Sequence, residues 1–326
     1  MPEVIVAGAG VVGLTAAIRL REAGIAADVV ARDPPAATTS AVAAALWYPY
    51  RAFPRERVAA WSARGFAVLS GLAATHGSGV RMRWGTELVA PGAEDPWWRP
   101  AVPSFARTAE GYRFAAPVAD MSVHLPWLAA RLEALGASLA IATLGSLDEA
   151  LARAPVVVNC AGLGARELAR DEALLAVRGQ ILLVEQTGVE EWLLDQSDPE
   201  RLLYVVPRER DVVIGGTAQD GDWTLQPDPV TAKEILARAV ELVPALRTAE
   251  VLGHRVGLRP ARPSVRLETV PHADGSPGGI VHCYGHGGAG VTLSWGCADD
   301  VLAEVEALLG TADQPVSEPA AASPRR

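Results

Sequence analysis

Residues 4–17 read VIVAGAGVVGLTAA, and this stretch decides the fold. Val4, Ile5 and Val6 form an uninterrupted β-branched run, the pattern of a strand buried on both faces, and the run stops at Gly8. Leu14, Ala17, Ile18 and Leu20 then recur at helical spacing until Gly24, a suitable C-terminal stop. Asp28 to Ala31 is the next predicted strand. A strand, helix and strand in this order predict an α/β fold with a parallel sheet.

Gly8, Gly10 and Gly13 make GAGVVG, with Val11 and Val12 between, at the first strand-to-helix turn. The first glycine permits the turn, the second lets main chain approach a pyrophosphate, and the third brings helix close to strand. With strand, helix and second strand all in register, the motif points to a bound dinucleotide. The residue that holds the adenosine ribose is expected about 20 positions on. Asp33 stands there one position late beside Arg32, and either fits the adenosine end.

Working outward, the chain of 326 residues has room for about two domains at roughly 100–200 residues each. Half of it is hydrophobic and 21% charged, enough apolar area to fill cores. A net charge of −9 argues against non-specific binding to nucleic acid or to anionic membrane. The three cysteines, Cys160, Cys283 and Cys297, have no CxxC spacing, so a disulfide framework is not expected and a reducing compartment fits. The N-terminus lacks the basic start and long apolar run of a signal peptide. Pro34 to Tyr50, the longest charge-free stretch, falls short of the roughly 20 apolar residues of a membrane helix. A soluble, cytoplasmic protein is the expectation.

Further along, Trp61 to Leu72, Leu125 to Leu135 and Asp228 to Leu242 read as helices. Strands are expected at Pro155 to Cys160, Gln180 to Glu185, Leu202 to Val206 and Val212 to Gly215, and a strand, turn and helix at Ile280 to Leu309. Pro91 to Pro103, with four prolines and two adjacent tryptophans, reads as a packed loop. Residues 311–326 are proline- and alanine-rich and are expected to be disordered.

Thr38, Thr39 and Ser40 offer hydroxyls for phosphate or ring-edge hydrogen bonds, or else cap an alanine-rich helix. In GLRPARPSVRL (257–267) a proline after Arg259 and another after Arg262 bias both arginines to extended backbone. A guanidinium aimed inward from such a segment suits a substrate carboxylate, and a surface ion pair suits it equally well. HCYGHGGAG (282–290) is a second glycine-rich turn feeding a helix. A metal site over His282, Cys283, His286 and Cys297 is not expected, because the loop does not hold both histidines on one helical face and no closing ligand set is evident. His286 reads first as a loop histidine bonded to main chain and second as catalytic. Nothing resembles a GxSxG nucleophile.

Taken together, GAGVVGLTAA, TTSAVAAALWYPY, GLRPARPSVRLE and CYGHGGAGVTLSWGCA, in that order, resemble the FAD-dependent D-amino-acid oxidase family over about residues 3–309. The resemblance implies a Rossmann-like FAD domain with a parallel sheet and an α+β substrate domain with a mostly antiparallel sheet. Their segments would be 1–52, 136–186 and 264–310 for FAD, and 53–135 and 187–263 for substrate. It further implies FAD held without a covalent link by Gly8, Gly10, Val11, Val12, Gly13, Arg32, Asp33, Thr38, Thr39, Ser40, Gly285, Gly287, Gly288, Gly290, Val291 and Thr292. Arg259 would clamp the substrate carboxylate with help from Tyr204, and the Gly288 carbonyl would accept from the substrate amine. The implied reaction is hydride transfer from a D-amino acid to FAD, reoxidation by O2 to hydrogen peroxide, and hydrolysis of the imino acid to a 2-oxo acid and ammonia.

The stretch DQSDPERLL before Tyr204 departs from the family's tyrosine-bearing lid and implies a shorter one. Tyr48, Tyr50 and Tyr204 would border an aromatic pocket for neutral side chains of small to medium size. A D-aspartate oxidase also fits these motifs, with Arg51, Arg208 or Arg210 as the second cation. So do a glycine- or sarcosine-type amine oxidase and, more remotely, a non-catalytic dinucleotide sensor. A homodimer is left open.

Overall fold

The computed structural model describes residues 1–198 and 201–310. The expected tail, 311–326, lies outside them. The strands are β1 (Val4–Ala7), β2 (Ala27–Ala31), β3 (Val80–Leu88), β4 (Phe105–Arg107), β5 (Gly111–Ala119), β6 (Leu139–Ile141) and β7 (Val156–Asn159). They continue with β8 (Leu175–Glu185), β9 (Trp192–Asp195), β10 (Leu203–Pro207), β11 (Asp211–Gly215), β12 (Gln219–Asp220), β13 (Val251–Pro271) and β14 (Gly279–His286). The helices are α1 (Val11–Glu22), α2 (Arg55–Leu72), α3 (Met121–Ala134), α4 (Leu147–Leu151), α5 (Ala165–Leu168), α6 (Pro229–Leu242) and α7 (Gly290–Gly310).

One hydrogen-bonded sheet runs β4-β5-β3-β9-β10-β11-β8-β13-β14-β7-β1-β2-β6, with β12 paired to β8. Its two ends differ in kind. From β14 to β6 every pair is parallel. From β4 to β14 the pairs are antiparallel except β3 with β9. The fold is thus mixed α/β, with a parallel part and a mostly antiparallel part.

β13 joins the parts. Its first half, Val251 to Ala261, pairs with β8, and its second half, Arg266 to Pro271, pairs with β14. The register shifts between Ala261 and Arg266, where Arg262 and Pro263 stand. Proline has no N–H to give a ladder, so a strand tolerates it at such an irregularity.

The parallel part is buried on both faces, which is why β1 is a continuous apolar run and β7 is one up to Asn159. α1, α3 and α7 pack one face, where Leu14, Ile18, Leu128 and Val301 are fully buried. α4 covers the other face through Leu147 and Ala150. Each fully buried leucine or isoleucine contributes about 1.5–3 kcal/mol. α6 begins where predicted because Pro229 opens it and the Asp228 carboxylate accepts from the Val230 and Thr231 amides at 3.2 and 3.0 Å. No helix among the described residues is long and apolar enough to cross a membrane.

Candidate active site

At the first turn Gly8 adopts φ +118°, and a Cβ there would strike the Cys160 carbonyl. A Cβ on Gly13 would collide with the Gly8 carbonyl, so main chain packs directly on main chain. α1 has no acidic residue in its first turn and no side-chain cap from Gly10. The Ser40 hydroxyl instead reaches in to accept from the Val11 amide at 3.0 Å. Thr38 bonds the Pro35 carbonyl at 2.7 Å, and Thr39 bonds the Leu258 carbonyl at 3.2 Å. The segment forms two short 3-10 turns, Pro35–Ala37 and Thr39–Val42, rather than an alanine-rich helix.

Arg32 and Asp33 follow the end of β2 and pair with each other at 2.8 Å, and neither makes another ion pair among the described residues. Of the second glycine-rich turn, Gly287 takes φ +56°, where a Cβ would hit the Arg51 carbonyl. Gly285 packs against the Arg262 side chain, Gly290 opens α7 with free space around it, and Val291 is buried. The Thr292 hydroxyl is occupied, accepting from the Tyr48 amide and donating to the Tyr48 carbonyl at 3.0 Å each.

Tyr204, Arg259 and Gly288 come together although 84 positions separate the first from the last. The Arg259 guanidinium lies over Gly179, where any side chain would displace it, and donates to the Thr217 carbonyl at 2.8 Å. The Tyr204 ring lies over Gly215 and Gly216 in the same way. Burial pushes the Tyr204 hydroxyl up from its ordinary pKa, and the hydrogen bond and charge of Arg259 pull it partly back. A Cβ on Gly288 would stand 3.4 Å from Arg259 Cδ and 2.5 Å from Tyr50 Cδ1. The guanidinium also faces the Tyr50 ring at 5.9 Å. Gly179, Gly215, Gly216 and Thr217 stand in VRGQ and IGGT, two segments that share the family's pattern, but no site role was expected of them.

The two arginines that sequence could not rank behave differently. Arg262 pairs with Asp171 at 2.9 Å and with the Ser264 carbonyl at 3.1 Å, and Asp171 also accepts from Tyr284 at 2.8 Å. Arg259 faces no carboxylate among the described residues.

Of the three candidate second cations, two are paired with aspartates and the third is exposed. Arg51 makes a two-pronged pair with Asp220 at 2.7 Å, and Arg208 pairs with Asp211 at 2.6 Å. Arg210 is exposed in the turn between β10 and β11. A cavity of about 320 Å³ lined by His76, Arg81, Asp120 and Arg208 includes none of Arg259, Tyr204 and Gly288.

The cysteine and histidine side chains correct one expectation. Ligand atoms of Cys283, His286 and Cys297 lie within 4.8 Å of one another in the core, a convergence that the glycine-rich loop alone does not suggest. α7 folds back over the end of β14 and brings Cys297 to the other two. His286 therefore contacts the Cys283 thiol at 3.8 Å rather than main chain, while His282 turns to Asn159 at 3.3 Å.

The family model of FAD dependent oxidoreductases matches residues 3–304. A D-amino-acid oxidase of Rubrobacter xylanophilus is 53% identical over 94% of this chain and 96% of its own length. A D-aspartate oxidase of Homo sapiens is 36% identical over 91% of this chain and 92% of its own. Among solved structures, glycine oxidase from Geobacillus kaustophilus superposes with a TM-score of 0.76 at 18% identity, covering 94% of this chain and 95% of that one. Turn, arginine and matches agree, and the chain belongs to the FAD-dependent oxidoreductase family that includes the D-amino-acid oxidases.

Proposed function

We propose that the protein oxidatively deaminates neutral D-amino acids to 2-oxo acids, ammonia and hydrogen peroxide. One observation carries this reading: Arg259, packed beside Gly288 and Tyr50 and hydrogen-bonded to the Thr217 carbonyl, is a guanidinium that meets no carboxylate among the described residues. A substrate carboxylate supplies the missing anion.

The residues fit FAD. The first-turn amides of α1 lack intrahelical partners, and no side chain on Gly8, Gly10 or Gly13 blocks an approaching pyrophosphate. We assign the pyrophosphate to that turn with Thr38, Thr39 and Ser40, the adenosine end to Arg32 and Asp33, and the flavin edge to Gly285 to Thr292. The cofactor part is taken as 1–52, 136–186 and 264–310, and the substrate part as 53–135 and 187–263. When bound, FAD accepts two electrons from the substrate and returns them to O2.

The protein's own groups then have three tasks. Arg259 and Tyr204 hold the carboxylate, and Thr217 keeps the guanidinium aimed. The Gly288 carbonyl accepts from the substrate amine, which with the carboxylate clamp fixes the direction of the Cα hydrogen. Orientation of this kind contributes up to about 7–11 kcal/mol in well-aligned systems. No protein base is required once the amine is neutral.

Tyr48, Tyr50 and Tyr204 favour neutral side chains, and the pairing of Arg51 and Arg208 to aspartates disfavours D-aspartate, whose second carboxylate would cost several kcal/mol without a cation. We place the protein in the cytoplasm, on its free cysteines, and carry a homodimer to be read from the solution mass. The test is kcat/KM for D-alanine, D-methionine, D-valine, D-phenylalanine and D-aspartate with the matching L isomers, followed by peroxide. Preference for neutral D isomers is expected. D-aspartate ahead of all of them overturns the substrate class, and absence of peroxide with every D isomer overturns the activity.

A further inference from the structure

We propose that Arg51 and Asp220 are a pair of positioning residues that ties the two walls of the substrate site together and keeps the Arg259 guanidinium aimed. The inference rests on the function proposed above and deepens it, because it names residues that set the carboxylate clamp without touching the substrate.

The walls come from distant parts of the chain. On one side Tyr50 lies against Gly288, and its ring faces the Arg259 guanidinium at 5.9 Å. On the other side the Thr217 carbonyl accepts from Arg259 at 2.8 Å. Arg51 directly follows Tyr50, and Asp220 stands on β12 shortly after Thr217. Arg51 donates from both terminal nitrogens to the two Asp220 oxygens, at 2.7 Å each, across 169 positions of sequence. Each partner thus belongs to a short segment that contacts Arg259.

The two segments are anchored differently. The Thr217 segment is tied to β8 at both ends, where the Thr217 hydroxyl accepts from the Gln180 amide at 3.0 Å and Asp220 pairs with Val177. The Tyr50 segment is held at its flanks, by Tyr48 main chain on Thr292 and by the Phe53 carbonyl, which accepts from the Val265 amide at 2.7 Å. Between those flanks the ion pair fastens Arg51 to the sheet that carries Arg259.

The main chain of Arg51 points to the same role. It adopts φ +51°, uncommon for a residue with a Cβ, and its carbonyl fills the space a Cβ on Gly287 would take. Such a conformation persists only where the surroundings over-determine it. Gly287 meets the carbonyl and Asp220 grips the side chain, so Arg51 is held from both ends. The side chains are 38% and 60% exposed, and an exposed pair adds little to overall stability. A two-pronged guanidinium contact does fix direction. Its hydrogen bonds hold the Asp220 carboxyl below its usual range, so the pair is ionised at neutral pH. Its loss is therefore expected to show in the geometry of the site rather than in the melting temperature.

Propionate carries the carboxylate of D-alanine without the amine, so its Kd on the holoprotein, read by calorimetry, reports on the clamp alone. Asp220→Ala and Arg51→Asn each remove one partner, and asparagine tolerates the left-handed conformation. Each variant should weaken propionate and raise KM for D-alanine about three- to fivefold, with kcat and flavin content near wild type. The double variant should lose no more than the worse single one, because either substitution alone already breaks the pair. Tm should stay within about 3 °C of wild type. Three results overturn the proposal: Kd and KM unchanged in both single variants, losses that multiply in the double variant, or weaker binding accompanied by a Tm drop beyond about 5 °C, the mark of a merely structural pair. If D-alanine is oxidised with unchanged KM in both variants, the inference fails and the proposed function stands. If no D-amino acid is oxidised, the proposed function falls, and the propionate measurements still decide the pair.

Discussion

The turn at Gly8 to Gly13 and the bend of β13 at Arg259 to Arg266 handle charge by opposite means. At the turn, main chain does the work, and each of Gly8 and Gly13 is required because another main-chain atom occupies the space of its Cβ. At the bend, side chains do it, and two arginines three positions apart have different partners: a carboxylate for Arg262, a carbonyl for Arg259. A main-chain requirement leaves glycines in the sequence. A side-chain requirement leaves an arginine, which says nothing about what it faces.

The largest effect should come from the turn. Gly13→Ala drives a Cβ into the Gly8 carbonyl, and the shift this forces moves the α1 amides away from their ligand. The variant should purify with little or no flavin, read from the visible absorbance of the released cofactor. Gly10→Ala meets the Ser40 hydroxyl at 3.1 Å, a side-chain atom rather than main chain, so flavin affinity should suffer while the fold survives. Equal and full flavin content in both variants would break the main-chain account.

At the bend, Arg259→Ala should lower kcat/KM by about a hundredfold or more, since a two-pronged charged contact contributes about 1.5–3 kcal/mol per hydrogen bond. Flavin absorbance should remain. Arg262→Ala is the contrast, because it leaves Asp171 with Tyr284 and Arg266 as partners and touches no substrate. Its kcat/KM per bound flavin should stay near wild type while stability drops by about 1–3 kcal/mol, seen as a lower Tm of the holoprotein. Exchange of these two phenotypes would make Arg262 the anchor.

The contrast also explains what was legible. β1, α1, β2 and β7 could be read because two-face burial writes continuous apolar runs and the helix writes its spacing. The extended backbone around Arg259 was legible from Pro260 and Pro263, but β13 proved 21 residues long because it serves two partners in turn, a tertiary fact without local signature. Glu87 was illegible for the same reason. Within Arg83 to Leu88 it looks like one more polar residue of an alternating strand, and only the fold buries it and brings the Tyr48 hydroxyl to it. Cys283 and Cys297 met through α7 folding back, which no spacing rule encodes.

A smaller effect sharpens the comparison further. Tyr204→Phe keeps the ring over Gly215 and Gly216 and removes only the hydroxyl. With Arg259 still in place, kcat/KM for D-alanine should fall about tenfold, the share of one hydrogen bond to a carboxylate. The loss should appear chiefly in KM if the hydroxyl serves binding, and a loss confined to kcat would give it another task.

The smallest effect belongs to the anchor beside the site, and its sign follows from linkage. Burial by itself would raise the Asp171 carboxyl, but hydrogen bonds from Tyr284 and Arg262 with the charge of Arg262 outweigh it and hold the group below its usual range. An aspartate whose folded pKa is depressed contributes stability above its unfolded value near 3.9, and the contribution is lost as pH falls through the folded pKa. Asp171→Asn removes the ionised form at every pH, so its Tm should lie below wild type at about pH 6 and the gap should close as pH falls below about 4. Arg262→Ala should show the same closing gap, since it removes the other half of the pair. A gap that stays constant down to about pH 3 would mean that Asp171 acts through shape and neutral hydrogen bonds, and the assignment of the Arg262 end of the bend to an ion pair would then lose its electrostatic basis.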